Sequence, residues 1–322
     1  MIGRVAAACL RILGAVSRTL PPRWASALGR ALGWIWYRVL PVRRAVARAN
    51  VARALGAELD TAGREALVRS MYGHLGQAFV ELLRLAVTPP EAVLRDLDVR
   101  GRTHLDAALA AGRGALVLTA HLGNWEVLVR VGDLAGRPLT VITKRFRAPW
   151  AERAWRGLRV GGARLLAADG AGRAVVRALE AGELVGYVLD QHVPPARAVW
   201  VPFFGTPAAT SPDLVRLARL TGAPVLPIFT WRSAAGRHVV DIGPPVDLPR
   251  TGDAGADLLA GTRRCASIVE AAVRAHPAQW LWIHRRWKRP PAAAIEALSR
   301  DGVADVRANH RGSCSSSSRA SD

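Results

Sequence analysis

The hydrophobic pattern changes period near Pro89-Pro90, and the change divides the chain. Before it, apolar residues recur at helical spacing. Leu10, Ile12, Leu13, Val16 and Leu20 belong to one helix, which Pro21-Pro22 ends. A second helix covers 24–40 and carries Trp34, Trp36 and Tyr37 among aliphatic residues. A long helix over 61–87 is apolar at Leu67, Val68, Met71, Leu75, Phe79, Leu82 and Leu83. After the prolines, short β-like runs alternate with helical ones. Strands are expected at 116–120, 139–143, 163–166, 184–189, 224–231 and 238–243, with a further apolar run at 198–204. Helices are expected from about 124, then at 148–160, 170–181, 211–221 and 253–275. Such alternation predicts an α/β fold with a mostly parallel sheet and crossover helices.

Charge changes the picture of the first segment. The 322 residues carry 45 basic and 25 acidic side chains, a net +20. Arginines stand at 4, 11, 18, 23, 30, 38, 43, 44, 48 and 53, with no acid before Glu58. A helix packed on a soluble protein normally shows both signs on its outer face. Apolar bulk with cationic edges and interfacial aromatics instead predicts helices lying in an anionic membrane surface. An ordinary helical hairpin packed on the main domain is the plainer alternative. No uninterrupted apolar stretch of ~20 residues is present to span a bilayer. The N-terminus also lacks the clean apolar core of a signal peptide. Cys9, Cys265 and Cys314 have neither disulfide nor metal-site spacing, which points to a reducing compartment. The expected organisation is an N-terminal membrane-associating helical region at 1–88, an α/β domain at 89–292 and an extension at 293–322, its serine-rich tail disordered from about 309.

Candidate chemistry collects at strand ends. Residues 114–126 read GALVLTAHLGNWE: an apolar run ends in His121, and a tight Gly-Asn turn delivers Glu126. In open α/β sheets the carboxyl edge of the strands is the usual place for a site. His121 could take a proton from a hydroxyl, and a carboxylate on its other ring nitrogen would fix the tautomer. The same spacing also fits a buried histidine beside a helix-start glutamate. No G-x-S-x-G elbow is present and no cysteine is near, so the simplest chemistry is direct attack by a substrate hydroxyl. Lys144, Arg145 and Arg147 follow the next strand and suit a phosphate or an oxyanion, or form a solvated basic loop. A third strand ends in Asp190-Gln191 at the same edge. Phe203, Phe204 and Gly205 form a greasy turn; the two phenylalanines and Trp125 are candidates for an apolar groove or for core packing. Asn124, in the turn before Glu126, joins the candidate binding residues. Near the C-terminus, Trp280, Trp282 and Trp287 interleave with His284, Arg285, Arg286, Lys288 and Arg289. That pattern suits a lipid phosphate, with Arg285 as the candidate contact, or nucleic acid, or tryptophans packed on the sheet below solvated charges.

Taken together, AHLGNWE, the LDQ that precedes VPFFGTPAAT, APVLPIF and HPAQWLWIHRRWKRP resemble the bacterial lipid A biosynthesis (late) acyltransferases, within the glycerolipid acyltransferase superfamily. ARANVARAL at 47–55 resembles the family's N-terminal Asn-containing stretch, and the likeness covers roughly 5–290. The resemblance implies transfer of a fatty acyl chain from acyl carrier protein, or coenzyme A, to a hydroxyl of a membrane glycolipid. His121 would be the base and Glu126 its partner; Lys144 or Arg145 would lie near a phosphate-contacting position, and Asp190 would match the family's acidic residue in the third block. It further implies no cofactor, no metal and no nucleic acid partner, and a peripheral location on the cytoplasmic face of the inner membrane. A lipid A precursor is the expected acceptor; phosphatidylinositol mannoside or an ornithine- or glycerol-type lipid is the alternative. A basic, non-catalytic membrane- or nucleic-acid-binding protein would explain the charge but not the strand-end residues.

Overall fold

The computed structural model describes residues 2–40, 42–143, 148–158, 163–167, 170–292 and 294–296. Four helices come first: α1 (Ile2–Thr19), α2 (Pro22–Arg38), α3 (Arg44–Leu55) and α4 (Thr61–Leu85). Then follow α5 (Pro90–Asp96), β1 (Asp98–Arg100), α6 (Arg102–Ala110), β2 (Ala115–Thr119), a 3-10 segment (Trp125–Arg130), α7 (Val131–Ala135), β3 (Leu139–Thr143) and α8 (Pro149–Leu158). The remainder is β4 (Ala163–Ala167), α9 (Gly172–Glu180), β5 (Leu184–Val188), β6 (Val199–Phe203), β7 (Thr206–Thr210), α10 (Asp213–Thr221), β8 (Val225–Arg232), β9 (His238–Ile242) and α11 (Ala254–Ala275).

Among the described residues the central sheet has seven strands in the order β1-β9-β8-β2-β5-β3-β4. β8, β2, β5, β3 and β4 run parallel, whereas β9 is antiparallel to β8. The expected α/β architecture with a mostly parallel sheet is what forms. β2 shows why: all five of its residues are buried, as a central parallel strand covered on both faces requires. Five segments were not expected as separate elements: α3, α5, the short β1, α6 and β7. The 198–204 run also departs from expectation. It pairs with β7 as a hairpin outside the main sheet, turning through Phe204 and Gly205 at φ 52° and 66°. Two consecutive left-handed residues suit the twist of a two-residue hairpin.

The N-terminal helices pack through small residues. α2 buries Ala25, Gly29, Gly33 and Tyr37, four apart, on α4. A Cβ at Gly33 would stand 2.1 Å from the Tyr72 carbonyl, and one at Gly29 2.5 Å from the Gln77 Cα. α1 likewise buries Gly3, Gly14 and Ser17. The large side chains are left outside: Ile12, Val16, Trp24 and Trp34 are all more than half exposed. No helix among the described residues is long and apolar enough to cross a membrane.

Candidate active site

His121 sits immediately past the carboxyl end of β2, and its partner comes from β5. Parallel pairing sets Thr119 beside Val188, and Leu189 N donates to Thr119 O. Asp190 therefore arrives opposite His121. Its carboxylate accepts the His121 ring Nδ1 at 2.9 Å, the His121 backbone amide at 2.8 Å and the Trp280 indole at 2.7 Å. Asp190 is 2% exposed. Burial alone would raise its pKa, but the His121 charge and these three hydrogen bonds outweigh it and hold the carboxyl at about 2. An ionised acceptor on Nδ1 favours the tautomer with its proton there, which makes Nε2 the basic atom.

The turn that bears His121 is clamped from two further sides. Gly123 lies at φ 58°, where a Cβ would be 2.2 Å from the Thr230 carbonyl. Gly123 N donates to Gln279 O, and Leu281 N donates to His121 O. From α4, His74 Nε2 meets Gly123 O at 3.0 Å, and Glu81 accepts Asn124 Nδ2 at 2.9 Å. Glu81 also receives Arg232, whose other guanidinium nitrogen meets His74 Nδ1 at 3.0 Å. Burial, followed by the Arg232 charge, lowers His74 to about 4, so it is neutral at physiological pH. In this arrangement Asn124 secures the turn: it binds Glu81 and accepts Glu126 N at 3.3 Å to cap the 3-10 segment.

Sequence reasoning placed Glu126 on the second ring nitrogen of His121. The structure puts Asp190 on Nδ1, and Glu126, buried, accepts Trp125 Nε1 at 3.1 Å. Both His121 and Glu126 line one cavity of 1340 Å³, with Trp125 and Gln191 beside them. The Trp125 ring stands edge-on to the imidazole at 5.1 Å, and the Gln191 amide nitrogen is 3.4 Å from both ring nitrogens.

The Phe203-Phe204-Gly205 turn lies elsewhere. Phe203 and Phe204 are 1% and 5% exposed and pack with Trp280, Trp282 and Trp287 in an aromatic core, away from the cavity wall. Gly205 is at the exposed tip. Arg285 is exposed, and its neighbour Arg286 is the buried one. Arg286 donates to the carbonyls of Gln191 and Ala209 and to Thr210 Oγ1, with its guanidinium 5.0 Å over the Phe203 ring. Desolvation lowers it to about 10, against the pull of Asp190. Lys144, Arg145, Arg147 and the serine-rich tail lie outside the described residues.

The chain matches the family described as bacterial lipid A biosynthesis acyltransferase over residues 5–289. It belongs to that family. As a member it is an acyltransferase. The lipid A biosynthesis lauroyltransferase of Escherichia coli (strain K12) is 26% identical over 268 residues, covering 82% of this chain and 85% of the relative. The phosphatidylinositol mannoside acyltransferase of Mycobacterium tuberculosis (strain ATCC 25618 / H37Rv) is 28% identical over 301 residues, covering 84% and 91%. Among solved structures, the 1-acyl-sn-glycerophosphate acyltransferase PlsC of Thermotoga maritima aligns at TM-score 0.37 and 17% identity, covering 81% of this chain and 100% of that one, too distant to add to the fold described above.

Within this acyltransferase, several residues escaped sequence reasoning as parts of the site. Asn50 of α3 is buried and donates to the carbonyls of Trp282 and His284. His284 accepts His192 N at 3.0 Å, and burial lowers it to about 4. His74 and Glu81 sit seven apart in α4, a polar line in an otherwise apolar stripe. That interruption was the available signal.

Proposed function

We propose that the protein transfers a fatty acyl chain from a thioester donor to a hydroxyl of a membrane glycolipid, with His121 as general base. The observation that carries this reading is the ionised Asp190 held on His121 Nδ1, with His121 in the wall of a large, mostly apolar cavity. Nε2 takes the proton of the acceptor hydroxyl as its oxygen attacks the thioester carbonyl. The tetrahedral adduct then expels the thiolate, which receives that proton back from the imidazolium, leaving an ester and a free thiol. Asp190 stabilises the transient imidazolium, and Glu126 lines the same cavity as His121. No side chain is acylated. Acyl carrier protein is the preferred donor because an acidic carrier complements a chain of net charge +20.

The membrane location rests on the inverted N-terminal helices. They bury glycine and alanine and expose tryptophan, aliphatic residues and arginine, which suits peripheral binding at the cytoplasmic face of the inner membrane. A lipid A precursor is the acceptor we favour. Phosphatidylinositol mannoside is the second reading, since a relative bearing that name is as similar as the lipid A enzymes.

The test is incubation of labelled acyl carrier protein thioester with each purified glycolipid, followed by mass spectrometry of lipid and protein. The expected result is one acylated lipid, no acylated protein, and a loss of about 10²–10⁴-fold in His121→Ala. Full transfer by His121→Ala would contradict the mechanism.

A further inference from the structure

The cavity reaches both faces of the central sheet. Successive strand residues point to opposite faces, and the register aligns Val117 with Gly186 and Gly186 with Val141. These three, with Leu139, line the cavity on one face against Leu128 of the 3-10 segment and Val131 of α7. On the opposite face Ile142 and Tyr187 look toward Val176 of α9 and Leu217 of α10. Arg173, Arg177 and Arg216 edge that second arm, Arg216 paired with Asp213.

The two arms differ in chemistry. In the first, polar groups stay at the strand ends beside His121: Thr119 and Thr143 have buried hydroxyls with no hydrogen-bond partner among the described residues. Deeper in, the strand residues lining this arm are Val117, Leu139, Val141 and Gly186. Val117 lies four residues before His121, so this arm runs about 13 Å along the strand at ~3.3 Å per residue. A long alkyl chain matches a gradient from polar mouth to apolar interior. The second arm, edged by cations, matches a phosphate-bearing group.

Gly186 occupies the middle of β5 without a backbone reason. Its φ is not positive, and a Cβ there would meet only Val141 Cγ2 at 3.5 Å, Thr140 O at 3.7 Å and Leu139 Cδ1 at 4.0 Å, ordinary contacts. Glycine weakens a strand interior, and where neither φ nor crowding demands it, it marks the close approach of something else. Resting on the acyltransferase reading above, we propose that Gly186 sets the bore of the acyl-chain arm. The transferred chain lies on the Val117–Val141 face of the sheet, and the residue at 186 determines which chain lengths are accepted.

The experiment compares full-length wild type with Gly186→Ala, Gly186→Val and, from the other arm, Val176→Phe. Each is given carrier-protein thioesters from octanoyl to stearoyl, with thermal melting as the folding control. Gly186→Val is expected to shift preference to shorter chains, the longest losing roughly 10-fold or more in kcat/KM relative to the shortest. Gly186→Ala should shift the same way by less, and decides the matter if the valine variant does not fold. Val176→Phe should leave the chain-length profile in place. An unchanged profile in the folded Gly186 variants, an equal loss at every length, or a shift caused by Val176→Phe instead would each overturn the proposal. A wild type that transfers no chain from any donor would overturn the acyltransferase reading itself, and this proposal with it.

Discussion

The N-terminal helix pair and the central sheet use apolar residues in opposite directions. In the sheet, Leu116, Leu118 and Leu184 are fully buried, and a backbone layer is covered on both sides. In α1 and α2 much of the contact with α4 is made by glycine, alanine and serine, with Trp36 and Tyr37 packed on Tyr72 at one end, while Ile12, Val16, Trp24 and Trp34 face away from the protein. Burial of large side chains holds the first together. Close backbone approach holds the second, as between helices in lipid. Apolar content alone does not locate a core; residue size on each face does.

That contrast can be broken by substitution. Leu118→Ala should cost the most, about 2–5 kcal/mol, because the sheet cannot collapse around the void. Gly33→Val tests the reverse rule: enlarging a buried residue should destabilise by about 1–3 kcal/mol, since its Cβ meets the Tyr72 carbonyl. Denaturant unfolding reads both. Replacing exposed Trp34 and Ile12 by serine should change stability by less than about 0.5 kcal/mol while weakening sedimentation with anionic lipid vesicles. Retained vesicle binding would remove the membrane role assigned to these helices. A further effect shows only in acid and lies at the seam, where α4 grips the His121 turn. His74 has a folded pKa of about 4 against 6.5 when exposed. Its contribution to stability is complete above 6.5 and is lost as pH falls toward 4, because the unfolded chain takes up the proton first. The melting temperature should therefore fall across that window, and His74→Gln should flatten the slope.

Much of the sheet was legible in the chain because parallel strands buried on both faces appear as continuous apolar runs such as 115–119. The site was only half legible. His121 and the Asp190-Gln191 strand end could be found, but which carboxylate meets the imidazole depends on β2 lying beside β5, a pairing remote in sequence. Glu126, five residues away, was the nearer guess. Phe203 and Phe204 looked like groove lining because a greasy turn gives no sign of what will cover it; here Trp280, Trp282 and Trp287 do. The four-residue spacing of Ala25, Gly29, Gly33 and Tyr37 was open to reading, yet only the structure shows that this small-residue stripe faces inward.

Asp190 holding His121 ready to activate the acceptor's own hydroxyl is the centre of the mechanism. Its most direct test is single-turnover acyl transfer by Asp190→Asn, run alongside vesicle binding and thermal melting. The expected result is a fall of at least about 10²-fold in the transfer rate, with vesicle binding unchanged and the protein folded. An Asp190→Asn enzyme that transfers acyl chains at the wild-type rate would contradict it.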